Sequence, residues 1–286
     1  MTDATTIVEL FVDGIARGAL FALLGTSITL VFGLGNILNI AIGGFAFIAL
    51  VVAAELVGQS PNVGVAALGG VASVVVLGLT VDRTLLSLVY REEGEDRILL
   101  GIFVTLGLML FFEGVLFVQF AQGAALSHGV PAFTGGGMRI RGSTILIVAV
   151  ASIVILCLFF FLRRTYLGKA TRTVFQDEAG ATLCGINPRR VQTLIFLISV
   201  ALAGTAGILQ GIQSPQRPAA AFELTVFAII VSVVGGVRNV RGTVGAGLLL
   251  GLVITYANFF IGAFVAKIIL FTVAVVVLLL RPEEIA

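Results

Sequence analysis

The chain has 286 residues, 59% of them hydrophobic and only 11% charged, with a mean hydropathy of +1.16 and a net charge of +2. A soluble domain typically carries about 25% charged residues, so the composition excludes a soluble enzyme or binding module. The nearly balanced charge singles out no partner, and nucleic acid is not among those expected.

Apolar runs of about 20 residues recur from end to end, each long enough to cross ~30 Å of hydrocarbon as a helix. They lack the alternating polarity of barrel strands. The expected fold is all-α: one polytopic transmembrane helical bundle over residues 1–286, with about eight or nine membrane segments and glycine-broken helices. No stretch outside the membrane is long enough to bury a core of its own. Soluble chemistry must therefore come from another chain.

Nine segments are placed, at 13–33, 37–57, 63–81, 98–120, 144–162, 189–212, 222–236, 243–261 and 264–280. The opening MTDATTIVELF has no basic region of a signal peptide, so the first helix is expected to be retained. In that helix Asp13 and Arg17 stand one turn apart, acid first, the order that favours a local ion pair. Glycines then cluster in GLGN (33–36) and IGG (42–44), with Asn36 and Asn39 between or beside them. Asn36, Asn39 and Gly43 are candidate pathway residues offering amides and open backbone to a polar solute; the competing reading of Asn36 is an N-cap on the second helix.

Farther along, Glu55 and Lys267 sit near segment ends, where long side chains reach water. Glu113 stands alone in an apolar run, a costly place for an ionisable group. His128 lies in the loop beyond the fourth segment without a carboxylate or cysteine at ligand spacing, and no metal site is expected. Cys157 and Cys184 make no disulfide framework. A second large glycine cluster, VVGGVRNVRGTVGAG at 233–247, adds Gly235 and Gly236 to the pathway candidates. Broken helices are tolerated at membrane depth where they face protein or water. Close packing of small residues between helices explains such clusters equally well.

Cytoplasmic connections are enriched in Lys and Arg. One set of connections holds 12 such residues (Arg83, Arg91, Arg97; Arg163, Arg164, Lys169, Arg172, Arg189, Arg190; Arg238, Arg241; Arg281), and the other holds 3 (Arg139, Arg141, Arg217). The N-terminus is therefore expected outside and the C-terminus inside. If 222–236 were re-entrant, every later assignment would flip.

The largest cytoplasmic connection, at about 163–188, is RTYLGKATRTVFQDEAGATLCGINPRR from Arg164. Phe175, Ala179 and Leu183 fall at i, i+4 and i+8, predicting one stripe of a short helix. Gly185 is its expected stop. Asn187 then suits an N-cap, and Pro188 the first position of the helix that re-enters the membrane.

This loop and the helix after it closely resemble the permease subunits of branched-chain amino-acid ABC importers. The resemblance rests on Arg164-Thr165-x-x-Gly168, Arg172, Asp177, the Leu183-x-Gly185-Ile186-Asn187 run, Arg190-Val191, and the small residues Ala201, Ala203, Gly204, Ala206 and Gly207. GLGNILNIAIGGF and VVGGVRNVRGTVGAGLLLG are similar to two further family regions. Where the family usually reads Asn-Phe-Ala-His-Gly-Glu, this chain has Asn39, Ile40, Ala41, Ile42, Gly43 and Gly44, without the two ionisable groups.

The resemblance implies a multi-pass permease of a prokaryotic plasma membrane, in contact with membrane lipid. It implies that the loop, with Arg172, Asp177, Glu178, Ala181, Leu183, Cys184, Gly185, Ile186 and Asn187, docks on an ATPase. It further implies a second related permease, two cytoplasmic ATPase subunits that bind the ATP, and an extracytoplasmic solute-binding protein. No cofactor is expected on this chain. Branched-chain amino acids are the first expectation, with urea, amides and other small polar solutes open. The rival from another class is an ion-coupled secondary transporter or channel, which predicts a relay of intramembrane acids. A membrane enzyme would need a catalytic cluster, and no nucleophile–base pair is visible in the sequence.

Overall fold

The computed structural model of the chain describes residues 4–59, 62–92, 94–126, 131–135 and 138–280. His128 and Arg281 lie outside them. The architecture is all-α. Apolar helices occupy the positions of all nine expected segments: α1 (Ala4–Gly35), α2 (Ile42–Gln59), α3 (Val63–Val89), α4 (Gly94–Gln119) and α5 (Gly142–Arg164), then, after the polar α6 (Tyr166–Gln176) and α7 (Glu178–Leu183), α8 (Pro188–Gln213), α9 (Ala220–Gly235), α10 (Val240–Phe260) and α11 (Ala263–Leu280). Among the described residues six of these (α1, α3, α4, α5, α8 and α10) are long and apolar enough to cross a membrane, and α2, α9 and α11 are shorter apolar helices. The one sheet among them is a two-stranded hairpin, Phe133–Gly135 with Met138–Ile140.

In a bilayer apolar contact alone gives helices little reason to associate, so close backbone packing through small residues matters more than in water. The pair α1 and α10 illustrates this. A Cβ on Gly18 would lie 2.7 Å from Leu248 Cα, and one on Gly247 would lie 2.5 Å from Ala22 N. The two antiparallel backbones come this close because a glycine stands on one helix at each contact. With α8 on its other side, α1 is buried along most of its length, whereas α3, α4 and α5 turn most of their surface outward.

The second segment begins later than the sequence suggests. Asn36 does not cap α2; it sits at the end of α1 in the left-handed region (φ 49°), its N–H bonded to Phe32 O at 2.9 Å. Residues 36–41 then run without regular structure through a buried position before α2 starts at Ile42. Backbone of this kind must find partners inside the protein. Two threonines supply them: Thr105 of α4 accepts from Ile40 N (3.1 Å) and donates to a carbonyl, Leu38 O or Gly101 O. Thr225 of α9 accepts from Gly43 N (3.0 Å) and reaches Ile40 O (2.9 Å).

A second correction concerns the polar loop. The expected stripe of Phe175, Ala179 and Leu183 does not lie on one helix, because the backbone turns extended at Asp177 (φ −155°, ψ 107°) and separates α6 from α7. Ala170, Thr171 and Val174 of α6 and Ala181 of α7 are buried against the bundle. Leu183 instead stands 90% exposed.

The basic connections gather at one end of the bundle. Arg97 meets Glu178, Arg189 meets Asp82, and Arg163, Arg172, Arg238 and Arg241 surround one cavity of about 350 Å³. At the other end Ala124 N bonds Gln216 O (2.8 Å), joining the stretch after α4 to the stretch before α9. Between Gln216 and Arg238 the chain thus passes from one end to the other. The α9 helix, 16 residues or about 24 Å, covers most of that distance.

Candidate functional site

At the basic end, α7 projects from the bundle on a defined hinge. Its C-terminus is a Schellman motif: Ile186 N bonds Ala181 O (3.0 Å) and Gly185 N bonds Thr182 O (3.0 Å), with Gly185 at φ +78°. The chain restarts at once. Asn187 Oδ1 accepts from Arg190 N (3.2 Å) and Pro188 takes the first helical position of α8, as the sequence predicts.

Glu178 ties the root of α7 to two spanning helices. One carboxylate oxygen meets Arg97 Nη1 of α4 (3.2 Å), and the other accepts from Gln192 Nε2 of α8 (3.2 Å), a residue only 3% exposed. Ala181 is fully buried, while Leu183 and Cys184 face outward. Of the remaining loop residues, Arg172 is exposed on α6 beside the basic cavity, and Asp177 occupies the N-cap position of α7 without a capping side-chain bond. A displacement imposed on the tip of α7 therefore has a polar route into α4 and α8.

A second anchor beside it was not foreseen. In α3 a π-helical turn spans Asp82–Leu86, a distortion often found at functional positions. Asp82 is 1% exposed, and its Oδ2 accepts from Arg189 Nη2 (2.9 Å) and Thr193 Oγ1 (2.8 Å), both on α8. Arg189 also donates to Asp82 O (2.8 Å) and stacks 4.2 Å over the Tyr90 ring. Burial, reinforced by Asp82, pushes the Tyr90 phenol above its ordinary range. Tyr90 therefore remains a neutral platform for the guanidinium. Both bonds to Asp82 leave from Nη2, while Nη1 and Asp82 Oδ1 are buried without protein partners; the planar guanidinium can hold this contact and stack on the ring at once, as lysine could not.

The expected pathway residues divide between two places. Asn36, Gly235 and Gly236 lie at the basic end, where Arg238 Nη2 approaches Asn36 Oδ1 at 3.5 Å and Gly236 (φ 90°) ends α9. Gly235 packs against the backbone of Gly242 and Thr243. Asn39 and Gly43 lie in the buried break between α1 and α2. Asn39 Oδ1 accepts from Ala41 N (3.1 Å), its Nδ2 has no protein partner, and Gly43 packs directly on Ala221 O of α9. Gly43 and Gly235 pack closely on backbone, and among these five residues Asn39 is the one with a buried donor that has no protein partner.

Toward the opposite end, the expected Asp13–Arg17 ion pair does not form. Asp13 Oδ1 instead accepts from Thr144 Oγ1 of α5 (2.7 Å), and Arg17 takes part in none of the three ion pairs among the described residues. Lys267 does not simply reach for water: its Nζ meets Glu223 Oε1 of α9 at 2.6 Å. Among the described residues Asp13, Glu55 and Glu113 form no continuous acidic relay and no cluster suited to a metal ion.

Comparison with known proteins bears on the whole chain. A family model described as branched-chain amino acid transport system, permease component, matches residues 10–280. The high-affinity branched-chain amino acid transport system permease protein BraD of Pseudomonas aeruginosa is 29% identical over 304 aligned positions, covering 100% of this chain and 97% of that protein. LivH of Escherichia coli, a permease of the same description, is 25% identical over 96% of this chain and 93% of its own length. The ribose import permease RbsC of Escherichia coli is 27% identical over 80% and 72%, respectively. Among solved structures, PsaBC from Streptococcus pneumoniae in complex with Fab aligns with a TM-score of 0.54 at 9% identity, covering 95% of this chain and 92% of that one. At that identity the likeness speaks for the fold alone.

Proposed function

The chain belongs to the permease family of branched-chain amino acid transport systems, and from that premise we propose that it carries branched-chain amino acids or similar small zwitterions inward, with α7 as the coupling element. It is a multi-pass permease subunit of an ABC importer in a prokaryotic plasma membrane, not an enzyme, and such permeases work with ATPase and substrate-binding partners. For this chain we propose a second related permease beside it, two ATPases beneath it that bind the nucleotide, and an extracytoplasmic protein that delivers the solute. The chain itself carries no cofactor in this scheme.

The observation that carries the coupling role is the two-sided character of α7. Its tip offers an exposed leucine, Leu183, to a partner surface, and its root is held to α4 and α8 through Glu178. A closing ATPase can shift the permease between states only through contacts that differ between them. By this reading a rigid peg seated in the ATPase provides those contacts, and the charged root passes the movement on.

Leu183→Asp tests it. A buried carboxylate in an apolar docking groove is strongly unfavourable. The variant permease should therefore insert normally yet lose its ATPases on purification, and solute-stimulated ATP hydrolysis should fall to the rate of the free ATPases. Undiminished ATPase retention and stimulation would remove α7 from the interface.

A further inference from the structure

Arg17 is the least explained charge in the chain. It sits within a spanning helix, where an arginine costs about 2.5–3.5 kcal/mol on insertion scales. Among the described residues it has neither an ion pair nor a hydrogen bond, though it lies within the electrostatic reach of Asp13 and Glu223. Glu223 and Lys267 are paired, but they remain 43% and 47% exposed on apolar helices. A face with these three charges is unsuited to hydrocarbon. It must face water, solute or a second chain.

The charges share a cavity of about 210 Å³ between α1, α9, α10 and α11, below the ~300–1,000 Å³ of sites for drug-sized ligands. The cavity is two-ended. Arg17, the Glu223–Lys267 pair and the amides of Gln210 and Asn258 make it polar on one side; on the other, Phe21 and Phe227, with ring centroids 5.2 Å apart, stand with Leu224 and Ile254. Arg17 and Asn258 also line the neighbouring cavity of about 320 Å³ nearer the end of α1, where the Oε1 of Gln213 is buried without a partner. The two spaces thus share their charged rim.

Resting on the transport function proposed above, we infer that this cavity is the site where the permease holds a zwitterionic aliphatic amino acid. Arg17 receives the α-carboxylate, Asn258 and the Oε2 of Glu223, whose Oε1 stays with Lys267, receive the ammonium group, and the side chain lies against Phe21, Leu224, Phe227 and Ile254. Asp13 and Glu223 act on Arg17 only through space, and the solute supplies the directly bonded anion. An unpaired guanidinium, a carboxylate within its electrostatic reach and an apolar wall are the complement of such a molecule, and they distinguish it from urea, simple amides and sugars, which bring no charge to Arg17. Arginine suits the role because its fork accepts a carboxylate bidentately.

The test measures binding of L-leucine, L-leucinamide (no carboxylate) and 4-methylpentanoate (no ammonium) to the assembled permease–ATPase complex without binding protein. The intact complex should prefer leucine to both analogues. Arg17→Gln should weaken leucine at least about tenfold, the loss of a hydrogen bond to a charged group, and abolish the preference over leucinamide. Glu223→Gln should abolish the preference over 4-methylpentanoate instead. If Arg17→Gln prevents assembly, the Glu223→Gln arm decides. Equal losses for leucine and both analogues would make these charges packing groups and overturn the site. Leucine uptake by the intact importer with unchanged analogue preferences in both variants overturns the site alone. A complex that neither binds nor transports aliphatic amino acids overturns the substrate reading and the site together.

Discussion

Gly185 allows the coupling role of α7 to be tested through backbone strain alone. Its φ of +78° is a conformation L side chains rarely adopt, yet a Cβ there would meet no heavy atom within 4 Å. Substitution therefore introduces no clash, and its whole effect is conformational. Left-handed backbone costs an ordinary L-residue roughly 1–2 kcal/mol, and a β-branched one sits at the upper end of the roughly 1–3 kcal/mol recorded for such strained positions; asparagine adopts it readily. The α7 helix has only six residues and little stability of its own, so that strain falls on the two Schellman bonds that aim it. At about 1.4 kcal/mol per decade, Gly185→Ala should lower the population of the docked geometry several-fold and Gly185→Val by one to two decades, with Gly185→Asn close to the parent. The assay is solute-stimulated ATP hydrolysis in proteoliposomes holding the assembled importer, normalised to permease content. The order Gly, Asn, Ala, Val is the prediction. A valine variant as active as the parent, or an asparagine variant as impaired as valine, would refute the reasoning.

The Asp82–Arg189 pair should behave as a buried charge pair. Arg189→Met strands Asp82, and removing one partner of such a pair costs roughly 3–5 kcal/mol, taken at the low end because Arg189 is 35% exposed. Adding Asp82→Asn should recover most of the loss in a thermal melt of the solubilised chain, and a double variant no better than Arg189→Met would contradict it. In the break between α1 and α2, Thr225→Val keeps the shape of the side chain but deprives Gly43 N and Ile40 O of a partner. At about 1–3 kcal/mol for each buried orphan, the same melt should shift downward by several degrees, and Thr225→Ser should not shift it.

Much of this architecture was legible in one sequence because the physics behind it is local. Length and apolarity mark the membrane helices, and Gly185, Asn187 and Pro188 punctuate the loop where they should. The exceptions share a cause. The late start of α2 depends on Thr105 and Thr225, which are 65 and 182 residues from the backbone groups they satisfy. The extended turn at Asp177 lies between Val174 and Ala181, each buried on its own helix, an arrangement that a single helical periodicity cannot register. Nothing local marks Asp82, Arg97 or Glu223, because the partners that define them, Arg189, Glu178 and Lys267, lie far along the chain. The i, i+4 spacing of Asp13 and Arg17 misled in the opposite sense, since Thr144 of α5 competes for the carboxylate.

The central claim is that α7 lies on the cytoplasmic face and under the ATPases, and the chain's own thiols test it most directly. Cys184 is exposed at the end of α7, and Cys157 lies on the outward face of α5. The thiolate is the reactive species and forms poorly against lipid, so Cys157 should label slowly; a Cys157→Ala background leaves Cys184 as the only thiol. A membrane-impermeant maleimide should miss Cys184 in intact cells, modify it in inside-out vesicles stripped of ATPases, and lose access again when the cognate ATPases are restored. Labelling of intact cells would reverse the orientation, and labelling that restored ATPases leave unchanged would contradict the coupling role.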